Sequence, residues 1–308
     1  MNGEAVVGVF FRALLVLLPI GLGVFWWVTR PGSIDQAAIA SLDSDAARGE
    51  QVFNAAGCAS CHAAPGAEGA DKLILAGGLA FPSDFGTFYA PNISPSAAGL
   101  GGWSAADLAR AMIKGVSPEG THYYPAFPYG SYARTGLQDV VDLKAYMDTL
   151  PPTDAANRPH DVGFPFAWRR LLGGWKFLFL TDEWQMAANT AEEERGRYLV
   201  EALGHCTECH TSRNLLGGLR RGLWMAGGPN PEGKGRIPNI TPDDSGIGAW
   251  SADEIAEYLA SGFTPDFDVA GGAMTDVIAN ISKLPPKDHR AIAAYLKRLP
   301  PLPAVPGH

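Results

Sequence analysis

An all-α, loop-rich chain of two tandem small domains behind one N-terminal transmembrane helix is the fold class that the sequence predicts. Three observations predict it. Residues from Ala5 to Val28 are almost all apolar. A block of about a hundred residues occurs twice, at an offset of 147 to 149 positions. Each copy carries the same five-residue pattern of cysteine and histidine.

The apolar run is long enough to cross a hydrocarbon core as a helix. Trp26 and Trp27 stand where an interfacial aromatic belt falls, and Arg30 follows. Arg12 interrupts the run and is expected to snorkel toward the cytoplasmic interface. A cleaved signal peptide is the alternative, but Val28-Thr29-Arg30-Pro31 lacks a small-x-small cleavage pattern. Residues 1–30 are therefore expected to form an uncleaved anchor.

The repeat sets the domain organisation. Arg48-Gly49 matches Arg195-Gly196, Pro91-Asn92-Ile93-Ser94-Pro95 matches Pro238-Asn239-Ile240-Thr241-Pro242, and Trp103-Ser104-Ala105 matches Trp250-Ser251-Ala252. His205 reads as one extra residue before Cys206, and Leu150-Pro151-Pro152 matches Leu299-Pro300-Pro301 at the end of each copy. The predicted limits are 31–152 for the first domain, 153–190 for a linker and 191–308 for the second domain. In each copy a first helix is expected over 45–56 or 191–203. A middle helix should follow an N-capping serine, Ser104 or Ser251, with an acid in its first turn. A last helix should stop at Leu-Pro-Pro, because proline cannot continue it. Glycine- and proline-rich loop fills the rest. The linker run 164–179 is too apolar for a free tether, and is expected either to pack along one domain or to lie near the membrane surface.

The repeated pentapeptides are Cys58-Ala59-Ser60-Cys61-His62 and Cys206-Thr207-Glu208-Cys209-His210. Each is a C-x-x-C-H, the pattern that attaches a c-type haem. Two thiols three positions apart can each add to one vinyl group of a porphyrin, and the following histidine lies under the iron. The motifs use all four cysteines of the chain. A shared zinc site would need pairs closer in sequence, and a redox dithiol would not need a histidine after both pairs. The residues therefore predict two covalent haem c groups, held by Cys58, Cys61, Cys206 and Cys209, with His62 and His210 as proximal ligands. The domains should be class I-like cytochrome c units, in which the haem itself supplies much of the core. A formal net charge of −8 argues against nucleic-acid binding and favours a basic docking face on any protein partner.

Electron-transfer haems commonly take a methionine as second axial ligand. In the second copy the candidate is Met274, in Gly271-Gly272-Ala273-Met274, with Met225 as a rival too soon after His210. The equivalent position in the first copy is Phe127, which cannot bind iron. Met112 and Met147 align with Leu259 and Leu296 and read as helix core. His122, five residues before the vacated slot, is the candidate sixth ligand of the first haem; an open or water-bound iron, or ligation by Met112 or another group, are the alternatives. His160 and His289 read as ordinary linker and helix-start histidines.

The chain resembles the dihaem and trihaem cytochrome c subunits that accompany membrane-bound bacterial dehydrogenases of alcohols and aldehydes. The likeness covers both domains and the linker. It rests on Cys-Ala-Ser-Cys-His, on Phe85-Gly86-Thr87-Phe88-Tyr89-Ala90-Pro91-Asn92-Ile93, on Tyr124-Pro125-Ala126-Phe127-Pro128-Tyr129, and on 205–214. Many members have methionine at the position of Phe127. The resemblance implies electron passage from a catalytic subunit through the haems to quinone, another cytochrome or a terminal oxidase. No acid-base constellation is visible around either motif, which favours an electron-transfer subunit over a catalyst by itself and leaves the enzyme question open. Because bacteria attach haem covalently outside the cytoplasmic membrane, the expected topology is single-pass, with the haem domains in the periplasm. A dihaem enzyme of the peroxidase or thiosulfate dehydrogenase type, with chemistry at the first haem, is the competing expectation; a gas sensor is a third.

Overall fold

The computed structural model describes every residue except 1, 2, 231, 232, 234, 307 and 308. The outer limits of the predicted anchor and second domain, residues 1 and 308, lie outside the described residues. Helix α1 spans Gly3–Val28, and its stretch Val9–Val28 is long and apolar enough to cross a membrane, with none of it buried against the protein. A short helix α2 (Gln36–Ala40) leads into the first unit.

Each unit begins with a helix whose cap is written in the sequence. Asp45 accepts hydrogen bonds from the Ala47 and Arg48 amides and starts α3 (Ala46–Ala55). Helix α4 (Cys58–His62) follows directly. Strands β1 (Ala80–Ser83) and β2 (Gly86–Tyr89) then form an antiparallel hairpin. The expectation of pure loop in this stretch is corrected to this extent: Phe88 and Tyr89 are buried on opposite sides of the second strand. Helix α5 (Ala105–Lys114) opens with the capping box Ser104/Asp107 and closes on left-handed Gly115. Helices α6 (Tyr129–Tyr132) and α7 (Leu137–Met147) complete the unit.

The connecting segment is not a tether. Asp161 pairs with Thr87 beside the hairpin, and α8 (Leu171–Phe179) packs on the first unit and on the end of α1.

The second unit repeats the plan. Thr190 caps α9 (Ala191–Tyr198), which continues as one π-helical turn, Leu199–Leu203. A short α10 (Thr207–His210) carries the motif, and strands β3 (Gly228–Pro229) and β4 (Arg236–Ile237) pair antiparallel. Helix α11 (Ala252–Ser261) has the capping box Ser251/Glu254 and a left-handed Gly262 at its end. Helices α12 (Ala273–Ile281) and α13 (Pro286–Arg298) follow. Nine-residue α12 has only four-residue α6 as its counterpart, and it was not anticipated from the sequence.

The π turn corrects the reading of His205. A π-helix holds one more residue per turn than an α-helix. The insertion is therefore absorbed at 199–203, and His205 stands where the first copy has Gly57. Both residues are left-handed, with φ of 40° and 58°.

Within each unit the first and last helices cross closely at a glycine. A Cβ on Gly49 would lie 2.8 Å from the Tyr146 Cβ, and one on Gly196 would lie 2.8 Å from the Tyr295 Cβ. The buried apolar residues of both units form one contiguous core, from Phe53 and Leu143 to Leu203 and Tyr295. The two units are therefore packed as one body rather than strung on a hinge.

Candidate haem sites

Helix geometry brings the motif residues together. Positions three apart on a helix are surface neighbours, so α4 sets Cys58 beside Cys61 with His62 following, and α10 does the same for Cys206, Cys209 and His210. All six side chains are half-buried. Among the described residues no group of three or more His, Cys, Asp and Glu converges as a metal site, so the two thiol pairs do not meet in one zinc centre.

The histidines are oriented by a matched pair of bonds. His62 Nδ1 lies 2.9 Å from the Pro91 carbonyl, and His210 Nδ1 lies 2.9 Å from the Pro238 carbonyl. A proton on Nδ1 donated to that oxygen leaves Nε2 bare, which is the form that binds a metal. Burial lowers both imidazole pKa values, while the proline carbonyls act in the opposite direction. The neutral ring is therefore favoured.

What holds those carbonyls explains the repeated Pro-Asn-Ile pentapeptide. The Asn92 side chain accepts from the Ser94 amide and donates to the Thr153 carbonyl. Asn239 accepts from the Thr241 amide and donates to the Leu302 carbonyl. Each asparagine thus ties the loop under its histidine to the chain leaving the last helix. The glycines Gly77 and Gly227 close the other side. Their amides donate to the His62 and His210 carbonyls, at 2.7 and 2.8 Å. Both are left-handed, and a Cβ on either would lie 2.5 Å from the backbone around Pro91 or Pro238. In the sequence the pentapeptide is visible only as a repeat at one offset; its role appears in the fold.

This arrangement fits haem c at both motifs: paired thiols on one helical face, and a neutral imidazole fixed through Nδ1. Cys58, Cys61 and His62 would hold one group, and Cys206, Cys209 and His210 the other.

The motifs also meet across the domain boundary, and the contacts are reciprocal. Asn280 of α12 donates to Ser60 Oγ at 2.8 Å, and Ser131 of α6 donates to Glu208 Oε1 at 2.9 Å. Ser60 and Glu208 are the equivalent third residues of the two motifs, and Ser131 and Asn280 are equivalent in the repeat. The units are thus related by an approximate twofold axis that places each motif against its sister unit. His205 reinforces the contact through Nε2 near the Ala56 carbonyl, at 3.2 Å, and an edge contact with Tyr132.

The two candidate sixth-ligand positions differ. Met274 sits in the first turn of α12, half-buried against the core, and Phe127 occupies the corresponding place beside Tyr123 and Tyr132. Met225 is fully buried at the place of Leu75, and Met112 and Met147 are also core residues. His122 is turned elsewhere. Its Nε2 lies 3.0 Å from the Thr29 carbonyl and its Nδ1 lies 3.1 Å from Lys176 Nζ. Both ring nitrogens are engaged, so His122 is not offered as an iron ligand in this conformation. His160 Nδ1 accepts from the Tyr89 amide, and buried His289 bonds the Ile281 carbonyl.

Comparison with known proteins agrees with this geometry. The cytochrome c family model matches residues 46–151. The chain is 58% identical to a dihaem cytochrome c-type protein of Cereibacter sphaeroides, over 93% of this chain and 96% of that one. It is 37% identical to the fructose dehydrogenase cytochrome subunit of Gluconobacter japonicus, over 82% of this chain and 52% of the relative. It is also 34% identical to the gluconate 2-dehydrogenase cytochrome c subunit of Pantoea cypripedii, over 87% of this chain and 63% of the relative. The chain thus spans nearly all of the first relative, but less than two thirds of the other two. It belongs to the dihaem c-type cytochromes and carries two covalently attached haem c groups.

Proposed function

We propose that this cytochrome is a membrane-anchored electron carrier, taking electrons from a dehydrogenase and passing them to a downstream acceptor outside the bacterial cytoplasmic membrane. Helix α1 would be the retained anchor, with the haem units of 31–152 and 191–308 in the periplasm. The observation that carries the reading is the reciprocal contact of each motif with the sister unit, because it sets two redox centres side by side in one rigid body. Relatives named as dehydrogenase cytochrome subunits support the donor class. Haem c supplies reversible one-electron chemistry when bound; the protein's part is to hold, orient and enclose it.

The axial sets are part of this proposal. His62 and His210 are the proximal ligands and Met274 completes the second iron, whereas Phe127 leaves the first without a thioether. The native protein should then show the Met–iron charge-transfer band of one haem only. Met274→Ala should abolish it, and Phe127→Met should add a second and raise the potential of the first haem. A band that survives Met274→Ala overturns the assignment. Redox titration of the holoprotein should resolve two reversible one-electron steps, and failure to reduce reversibly would overturn the carrier function itself.

A further inference from the structure

Outside α1, the exposed large apolar residues among the described residues fall into just two patches. One is the turn around Phe267 in the second unit. The other adjoins the end of α1 through Trp168, and it is larger. Its members include Leu215 at 97% exposure and Phe164 at 89%, with Trp168, Phe177, Leu178 and Leu216 also exposed.

These residues come from the linker and from the second unit, yet contacts join them. The Trp168 ring lies 5.4 Å from Phe25 of α1, and the Arg170 guanidinium lies over Trp26 at 4.1 Å. Arg170 also donates to the Trp26 carbonyl and to Thr29 Oγ1. On the far side, Trp175 Nε1 donates to the Leu216 carbonyl at 2.8 Å, and Phe85 lies between Phe166 and Gly217.

Depth follows from the contact with α1. Phe25 is three residues inside the end of the apolar span, about 4.5 Å at the helical rise of 1.5 Å per residue. Trp168 lies at that level. A tryptophan there, followed by Arg170 and beside the exposed Trp26 and Trp27 of α1, has the composition of a lipid interface. Leaving this surface in water would expose apolar side chains from two separate segments for no packing return.

We propose that the segment 164–178 and the loop 213–218 form a lipid-facing collar, seated in the headgroup boundary around α1, that fixes the tilt of both haem units on the membrane. This rests on the reading of α1 as a retained anchor. The occupant is the bilayer rather than a partner protein because the patch is continuous with the membrane-spanning helix itself.

The test uses the full holoprotein in vesicles of phosphatidylcholine and phosphatidylglycerol carrying a photoactivatable acyl chain, with adducts mapped by mass spectrometry. Adducts are expected on α1, on 164–178 and on 213–218, and not on the exposed turn 263–269. The double variant Leu178→Glu/Leu215→Glu should lose the collar adducts while keeping those on α1 and its haem absorbance. Labelling confined to α1 overturns the collar and leaves the anchor standing. Absence of label from α1 as well overturns the anchor, and labelling of 263–269 equal to that of the collar overturns the specificity of the surface.

Discussion

His62 and His210 each commit Nδ1 to a proline carbonyl, and that single bond decides which nitrogen is left free for a metal. The carbonyls in turn depend on Asn92 and Asn239, whose side chains fasten the loop to the chain end. At the same scale, Phe267 is left-handed at φ 63° and 91% exposed, where the first copy has Gly120 at φ +85°. A side chain in that region costs about 1–2 kcal/mol, partly offset by the extra freedom that glycine has when unfolded. Phe267→Gly should therefore stabilise the protein by about 0.5–1 kcal/mol, read as a raised urea midpoint. A lowered midpoint would show that Phe267 contributes packing despite its exposure.

At the scale of elements, the crossing of α3 with α7 and of α9 with α13 allows no Cβ at the contact. Gly49→Ala should cost about 2–3 kcal/mol, at the upper end for overpacking, since backbone as well as side chain must shift. Urea unfolding of the holoprotein checks it; a change under about 0.5 kcal/mol would mean the helices can slide apart freely. The π turn in the second unit is the other decision at this scale. It turns Glu201 fully inward to the Tyr295 hydroxyl and the Gln185 amide, with Arg134 of the first unit at 3.8 Å. A one-residue insertion thus becomes a buried polar link between the units and the linker.

Across the whole molecule, α8 pins the end of α1 to the first unit, with a buried lysine at the contact. Lys176 Nζ donates to the Lys114 and Gly115 carbonyls at 2.8 and 2.5 Å and lies over the Tyr129 ring. Burial, and secondarily the charge of Arg169, pushes Lys176 down from 10.5 to about 7. Between those values the unfolded chain binds the proton and the folded chain does not, so this lysine makes stability rise with pH from about 7 to 10.5. Below about 7 both states carry the proton and the slope from this group vanishes. Burial likewise lowers His122, so its contribution to stability falls as pH drops through the range just under 6.5. Chemical denaturation across this range should show the rise above neutral pH, and Lys176→Met should flatten it. An unchanged slope in the variant would place the titration on another group.

Local pattern was sufficient for much of this protein, and the reason is physical. Cysteine spacing within one helical turn, capping serines, Leu-Pro-Pro stops and a long apolar run act over a few residues, so haem attachment, the helix ends and the apolar span were legible in the chain itself. The duplication also set Phe127 opposite Met274 in register, which is the difference on which the proposed axial ligation rests. The tertiary structure decided what lies far apart in sequence. His122 has its nitrogens engaged by groups 93 and 54 residues away, which no window around Tyr124-Pro125-Ala126-Phe127 can contain. The position of the inserted residue, the reciprocal contact of the motifs and the packing of 164–179 on α1 likewise arise from close packing between segments. Side-chain type alone sets what a residue can bind; only the fold sets which partner reaches it first.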